Sequence, residues 1–320
     1  HSGFDLFYLL QNPNDSAATV QVRYLLPAGA PIVKTYAVAA QSRFNIWVDA
    51  DDSRLANTDV SAAITANVPI IVERAMYLSR GPQLFSAGHE GAGVTAPATE
   101  WFLAEGATGD FFDTFVLIGN PSSSTAQVRA TFLLPGGGSV VKTYAVAANS
   151  RFNIWVDAED ARLANTSLST VITSTNNVPV IVERAMWWPG PTAGTWWEAH
   201  NAAGSTATGR AWALAEGEAG GPKSLETYIL IANRGAADTA TVTLLFEDGS
   251  AQAKVVALAS GSRTNVAISA DFPAAVGRRF GAIIEAAGPG AQIVVERAMY
   301  ASVDGVLWAA GHEALGTKLQ

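Results

Sequence analysis

The sequence contains no cysteine. That removes disulfides, thiolate metal sites and cysteine nucleophiles together. Charge is scarce as well: 15% of the residues are charged, against roughly a quarter in ordinary soluble domains. Ala, Thr, Ser and Gly take their place, which suits an exported protein or one whose faces are covered by neighbours. The net charge of −8 leaves no basic footprint for nucleic acid. No apolar run is long enough to insert across a membrane, and no basic–apolar signal segment opens the chain. The first residue is His rather than Met, so a mature or excised segment is expected. No Gly-x-Ser-x-Gly elbow or phosphate loop is present to support an enzyme reading. Long amphipathic helices are missing too.

Methionine is equally sparse, and its positions are informative. All three methionines lie in copies of one stretch. These are Ile70-Ile71-Val72-Glu73-Arg74-Ala75-Met76, Val180-Ile181-Val182-Glu183-Arg184-Ala185-Met186 and Ile293-Val294-Val295-Glu296-Arg297-Ala298-Met299. The short β-branched run reads as a buried strand. Its Glu and Arg are adjacent and so point to opposite faces. A charge on a buried strand needs a partner, or it costs several kcal/mol, roughly the penalty of an uncompensated ion.

The same repetition runs through the rest of the chain. Val33 to Ala40 returns unchanged as Val141 to Ala148, and Ser42 to Asp49 as Ser150 to Asp157. Ser262-Arg263-Thr264-Asn265 keeps the Ser-Arg-x-Asn frame in a third, more diverged copy. The interval is about 110 residues, far above solenoid periods, so each copy is expected to be a domain. Within a copy, Val128, Ala130, Phe132 and Leu134 share one face while Arg129 and Thr131 share the other, as in a half-buried strand. Turn signals follow at Pro27-Ala28-Gly29, Pro135-Gly136-Gly137-Gly138 and Glu247-Asp248-Gly249. The fold class expected is all-β: three tandem immunoglobulin-like β-sandwich domains over 1–95, 96–207 and 208–320. At most a short helical turn is expected after Asp51 and Glu159.

One element breaks the pattern. Trp101-Phe102-Leu103-Ala104-Glu105-Gly106 recurs as Trp212-Ala213-Leu214-Ala215-Glu216-Gly217, but the first copy has no counterpart. Either the chain was cut from a longer array or the first domain lacks a strand. A missing strand would expose an edge that another chain can fill.

Gly88-His89-Glu90, Val94-Thr95-Ala96-Pro97, Trp101 to Gly106, Asn120-Pro121 and Val182-Glu183-Arg184 together resemble a family of repeats in large exported bacterial proteins, of unassigned function. The resemblance covers nearly the whole chain. It implies an extracellular, multi-copy β-domain and supplies no activity or site residues. The third copy departs from it, with Asn233-Arg234 in place of Asn-Pro.

The polar residues kept in every copy invite two readings. Glu183, His200 and Asp113 are candidates for an acid/base or metal site. The favoured reading is a structural polar network of Arg43, Glu73, His89, Asp113, Arg151, Glu183, His200, Glu226, Arg263, Glu296 and His312, with Arg151 pairing Glu183 and His200 capping a turn. One histidine per copy argues against zinc. Asp49, Asp51 and Asp52, with Asp157, Glu159 and Asp160, offer hard oxygen ligands that calcium would suit. The alternative there is helix N-capping, which needs no ion. Calcium is the one cofactor under consideration.

Aromatic residues give a second set. Alternation places Arg151, Asn153 and Trp155 on one face, with Phe152 and Ile154 turned to the core, and Arg43, Asn45 and Trp47 repeat the stripe. A Trp beside Arg and Asn could stack a sugar ring or lie under a neighbouring loop or domain, and the second reading is favoured. Trp187-Trp188 and Trp196-Trp197 form the arms of a hairpin in which one Trp of each pair must leave the core. They either pack against an adjacent domain or subunit or form a binding platform.

The expectation is a non-catalytic structural or adhesive protein, extracellular or on the cell surface, that associates with itself or with neighbouring domains. The alternative is a glycan-binding accessory region of a secreted polysaccharide-degrading enzyme.

Overall fold

The computed structural model describes residues 3–80, 83–189 and 196–320. Among these, strands dominate. The first third contains β1 (Phe4–Asn12), β2 (Ala18–Leu25), β3 (Ile32–Val38), β4 (Ser42–Trp47), β5 (Ser61–Ala66), β6 (Ile71–Arg80) and β7 (Gln83–Ala92). The second contains β8 (Glu100–Leu103), β9 (Asp113–Asn120), β10 (Ala126–Leu133), β11 (Ser139–Val146), β12 (Ser150–Trp155), β13 (Ser169–Ser174), β14 (Ile181–Pro189) and β15 (Trp196–Ala203). The last contains β16 (Ala211–Leu214), β17 (Leu225–Asn233), β18 (Asp238–Phe246), β19 (Ala251–Leu258), β20 (Ser262–Ala267), β21 (Phe280–Ala286), β22 (Ile293–Val303), β23 (Val306–Leu315) and β24 (Thr317–Lys318).

These strands form antiparallel sheets that pair into sandwiches. Sheet β4-β1-β6-β7 covers the three-stranded β3-β2-β5. Next, β12-β9-β14-β15 covers β11-β10-β13-β8, and β20-β17-β22-β23 covers β19-β18-β21-β16-β24. Sheet membership changes between Ala92 and Glu100 and again between Ala203 and Ala211. We refer to the three sheet pairs as units.

Alternation drives each unit together. In β10, Val128, Ala130 and Phe132 are buried against Val116 and Ile118 of β9, while Gln127 and Arg129 face solvent. The strand order is particular. An immunoglobulin sandwich places its first and second strands in one sheet. Here β1 pairs with β4 and β6, and β2 pairs with β3 and β5. A tight β2–β3 turn keeps those neighbours in one sheet, so the chain changes sheets between β1 and β2 and between β3 and β4.

A repeated asparagine fixes the first crossing. The amide of fully buried Asn120 donates to the carbonyls of Ser124, Val146 and Ala147, and its oxygen accepts from Ser122 N. Asn12 does the same with Ser16, Val38 and Ala39. The backbone carbonyls this residue satisfies lie at or just beyond the end of the β2–β3 and β10–β11 ladders.

Two local expectations change. The helical turns form at Val48–Asp51 and Val156–Ala158, ahead of Asp52 and Glu159 rather than after Asp51 and Glu159. Ile154 enters the core as expected, but Phe152 does not. It is exposed and lies beside Tyr144 with ring centroids 5.4 Å apart.

The units are not beads on a string. Leu78, Phe4, Met76 and Ala87 of the first unit pack with Ala185, Trp187, Ala199 and Phe115 of the second. Trp188, Phe111 and Phe112 of the second pack with Leu230, Ala298, Tyr300 and Trp308 of the third. Both joints share a backbone contact: Arg151 N donates to Leu26 O at 3.1 Å, and Arg263 N to Leu134 O at 3.2 Å.

Candidate functional site

Of the polar residues singled out by repetition, His89, Arg151, Glu183, His200, Arg263 and Glu296 lie at these joints. Each Glu-Arg pair is split between two partners because its members face opposite sides of the strand. Arg74 of the first unit reaches Glu183 of the second at 2.7 Å. Arg184 of the second unit reaches Glu296 of the third at 2.6 Å. One ion pair thus recurs at successive joints, always from the arginine of one copy to the glutamate of the next. The internal pairing expected between Arg151 and Glu183 does not form. Arg151 instead donates to Val60 O at 2.9 Å and Asn153 Oδ1 at 2.6 Å, and Asn153 donates to Asp59. Arg151 therefore also fastens the second unit to the first.

The joint between the second and third units is sealed. The Arg184 and Glu296 side chains are 1% and 0% exposed. Arg184 lies 2.9 Å from Glu105 and 3.4 Å from Glu313, and also donates to Glu105 O. Glu296 accepts from Ala104 N at 3.0 Å and Glu105 N at 2.9 Å. Arg263 donates to Leu168 O at 2.6 Å and to Ala104 O. Tyr300 donates to Glu105 at 3.1 Å, and its hydroxyl lies 3.3 Å from His200 Nε2.

The charge states follow from this packing. Burial works against ionised Arg184, but Glu296, Glu105 and Glu313 more than reverse it and raise its pKa. Burial lowers Arg263 to about 10, with Glu105 and Glu296 opposing the shift. Burial drives Glu313 well above the ordinary carboxyl range despite Arg184 nearby. Burial, reinforced by Arg184, drives His200 well below the ordinary histidine value. Burial thus disfavours the charged forms of both Glu313 and His200. Arg184 and Arg263 are bound by Glu105, Glu296 and backbone carbonyls, and the cluster closes on itself.

Three carboxylates in this cluster, Glu105, Glu296 and Glu313, lie close enough together to suggest a cation site. Arg184 contacts all three. Its guanidinium takes the place a metal would need, so this donor set does not suit an ion.

The calcium candidates are likewise engaged by protein donors. Asp49 accepts from Leu6 N, Asp51 from Tyr24 and Tyr36, Asp157 from Gly109 N and Thr114 N, and Glu159 from Tyr144. Asp52 and Asp160 each chelate an arginine two residues on, Arg54 and Arg162. Side-chain capping of the helical turns at Val48–Asp51 and Val156–Ala158 does not occur either. Asp49 and Asp157 instead accept from the start of β1 and β9, the neighbours of β4 and β12 in the sheet.

The remaining sequence candidates have distinct settings. His89 is largely enclosed at the first joint, where burial, with Arg74, lowers its pKa to about 3. His200 caps no turn; its ring lies 5.3 Å from that of Trp188. Arg43 and Glu73 are exposed on the first unit, and Glu226 accepts from Tyr228. At the far end of the third unit Arg297 binds Glu216 at 2.9 Å and lies 3.1 Å from His312 Nδ1. Arg74, Arg184, Glu105, Glu313 and Tyr300 were absent from the sequence-level network. The arginines carry the same threefold repetition as the glutamates beside them, so that signal was present.

The tryptophans divide by burial. Trp187 packs edge-on against Phe4 of the first unit at 5.0 Å, whereas fully buried Trp188 donates to Trp308 O of the third at 2.7 Å. Adjacent residues on one strand thus serve opposite joints. Trp155 and Trp196 remain 48% and 40% exposed. Both indoles donate to Asp113, at 2.9 and 2.6 Å, and both flank Phe115. Trp47, donating to Asp5 and stacked on Phe7, is a smaller version. The neighbouring loop expected over Trp155 does not bury it. Trp197 is half-buried, and the hairpin tip at 190–195 lies outside the described residues.

No protein-family model matches the chain, and no curated protein matches it. Among solved structures it is similar to a Thermotoga maritima protein designated 1070, with 19% identity over 35% of this chain and 96% of the other, at a TM-score of 0.31. The Anabaena sensory rhodopsin transducer matches at 21% identity over 29% of this chain and 91% of the other, with a TM-score of 0.25. A tetra-tandem repeat from the extending region of a large adhesion protein matches over 97% of this chain and 68% of the other, at 13% identity and a TM-score of 0.14. At these scores none bears on fold or activity. No helix among the described residues is long and apolar enough to cross a membrane.

Proposed function

We propose that this is a non-catalytic, extracellular structural repeat protein whose units interlock into a stiff rod. The observation that carries the reading is the repeated ion pair, Arg74 to Glu183 and Arg184 to Glu296, crossing both joints with the same residue types. Apolar packing accompanies each pair. The central polar cluster is sealed, which suits a fastener and offers a substrate no entrance.

The outer faces of the first and third units carry the same chemistry as the joints. Glu73 and Arg43 are exposed at one end. At the other, exposed Glu216, held by the buried Arg297, lines an open depression of about 460 Å³ together with Ala215 and Phe280. Ala215 and Glu216 correspond to Ala104 and Glu105, which hold Arg263 and Arg184 at the filled joint. Such a heterologous contact does not close and would extend into a filament. Small-angle scattering tests both parts. A dilute solution should give a rigid elongated particle, and concentration should add length until Glu73→Arg, a change at an exposed position, prevents it. Three independently tumbling lobes would sink the reading.

A second reading rests on the exposed indoles of Trp155 and Trp196, held by one carboxylate beside Phe115. This platform suits a sugar ring. Pull-down on insoluble glycans should lose the protein on Trp196→Ala while the melting temperature holds. Wild type that binds none of them counts against it.

A further inference from the structure

The second unit has a neighbouring unit at each of its joints, yet its surface stays uncovered around Asp113 at the start of β9. Trp155 and Trp196 are 48% and 40% exposed there. The Trp155 ring lies 16° from the plane of Phe115, with centroids 6.0 Å apart, and the Trp196 ring stands at 84° to it at 5.6 Å. The two indole planes therefore cross steeply. Their N–H groups meet at one carboxylate: Trp155 donates to Asp113 Oδ1 at 2.9 Å and Trp196 to Asp113 Oδ2 at 2.6 Å. Trp196 also stacks on Trp187 at 5.4 Å, so both rings are braced. The result is an open corner with two aromatic walls and a carboxylate where their edges meet.

With each N–H committed to Asp113, what the walls offer to solvent is carbon surface. The indoles occupy two of the roughly four lone-pair positions of that carboxylate and leave the others open. Among the described residues no Lys, Arg or His forms an ion pair with Asp113. Asp157 nearby is a second carboxyl: burial raises its pKa, and the charge of Asp113 adds to that shift against hydrogen bonds from Thr114 N and Gly109 N. The first unit repeats the arrangement in smaller form, Trp47 donating to Asp5 at 3.0 Å and stacking on Phe7. Apolar walls around a carboxylate without a basic partner suit a ligand that is apolar on one face and cationic at its rim. A neutral sugar uses the walls without answering the charge, a uronic acid is repelled by it, and a lone ammonium leaves most of the aromatic surface uncovered.

From this we infer that the corner binds an amino sugar: a pyranose carrying a free, protonated amino group, as a unit of a linear glucosamine-type glycan. The C–H face of the ring lies on an indole, and the ammonium donates to the open lone pairs of Asp113. A charged donor makes this the stronger kind of hydrogen bond, and the aromatic walls attract the same cation. The net charge of −8 acts in the same direction at longer range. The assignment rests on the glycan reading of the exposed indoles and adds to it the class of sugar.

The test uses the whole 320-residue protein in titration calorimetry with short oligomers of glucosamine, N-acetylglucosamine and glucose, at a mildly acidic pH where the sugar amine is protonated. The glucosamine oligomer should bind about tenfold tighter than the other two, the scale of one charged hydrogen bond. Asp113→Asn should erase that preference, and added salt should narrow it. Trp196→Ala, which leaves the net charge unchanged, should abolish binding. Where Asp113→Asn fails to fold, the comparison with the acetylated oligomer on wild type decides, because acetylation removes the cation and keeps the ring. Equal binding of all three oligomers, lost in Trp196→Ala, overturns the amino-sugar assignment and leaves the glycan reading standing. Binding of none overturns both. Glucosamine binding that survives Trp196→Ala, or that an oligolysine of equal charge displaces equally well, is unspecific attraction to an acidic protein and overturns the proposal too.

Discussion

At the residue scale, the same pair of side chains has different energetic weight at the two joints. The pair at Glu296 is fully enclosed, so removing one partner strands a charge in a low-dielectric interior. The pair at Glu183 is partly wet, and solvent screens it. Glu296→Ala should therefore cost about 3–5 kcal/mol, and Glu183→Ala clearly less, as read from denaturant midpoints at constant m. Equal losses would contradict the contrast in burial. A second expectation concerns pH. The folded His200 stays neutral below the ordinary value of 6.5, whereas the unfolded chain takes up a proton there. Its contribution is present above that pH and lost as pH falls, at about 1.4 kcal/mol per pH unit. The stability gap between wild type and His200→Gln should shrink from pH 7.5 to 5.5. Glu313 has the opposite sign, because its raised pKa favours the folded state at low pH and loses that contribution as pH rises through the folded value. A His200→Gln gap that is flat with pH would refute the assignment.

At the element scale, strand alternation explains how one stretch can be core, joint and surface at once. On β14, Val182 faces its own unit's core, Glu183 and Trp187 face the first unit, and Arg184 and Trp188 extend toward the third. Period-two logic at Trp187-Trp188 correctly requires opposite directions, but it does not say what waits on each side. The same logic sends Phe152 to the core with Ile154, and there it fails. Phe152 lies over the edge region beside Tyr144, so facing inward along a strand does not guarantee burial near a sheet's margin. The buried and exposed indoles also give the glycan experiment its control. Trp188→Ala should cost about 3–5 kcal/mol as a large core truncation, while Trp196→Ala, at a half-exposed position, should leave stability nearly unchanged.

At the scale of the whole molecule, the stiffness of the proposed rod would come from joints that combine apolar packing with directed polar pairing. Packing alone would tolerate rotation between units. The crossing arginines and the bonds from Leu26 and Leu134 to the following unit fix the angle. The head-to-tail association expected from the exposed ends should weaken with salt, since Glu73 and Glu216 are open to solvent. Salt-independent association would point to the apolar surfaces instead.

The sequence by itself determined the all-β class, the repetition of about 110 residues and the strand alternation. These are local or periodic properties, and each is written in neighbouring residues. It also identified most of the polar set, because repetition marks residues whatever their partners. The tertiary structure decided who those partners are. Arg184 and Glu296 are more than a hundred residues apart in the chain, and nothing local distinguishes a bond within a copy from one to the next. That choice depends on how two sandwiches meet, and so the polar lock proves to lie between units rather than inside them.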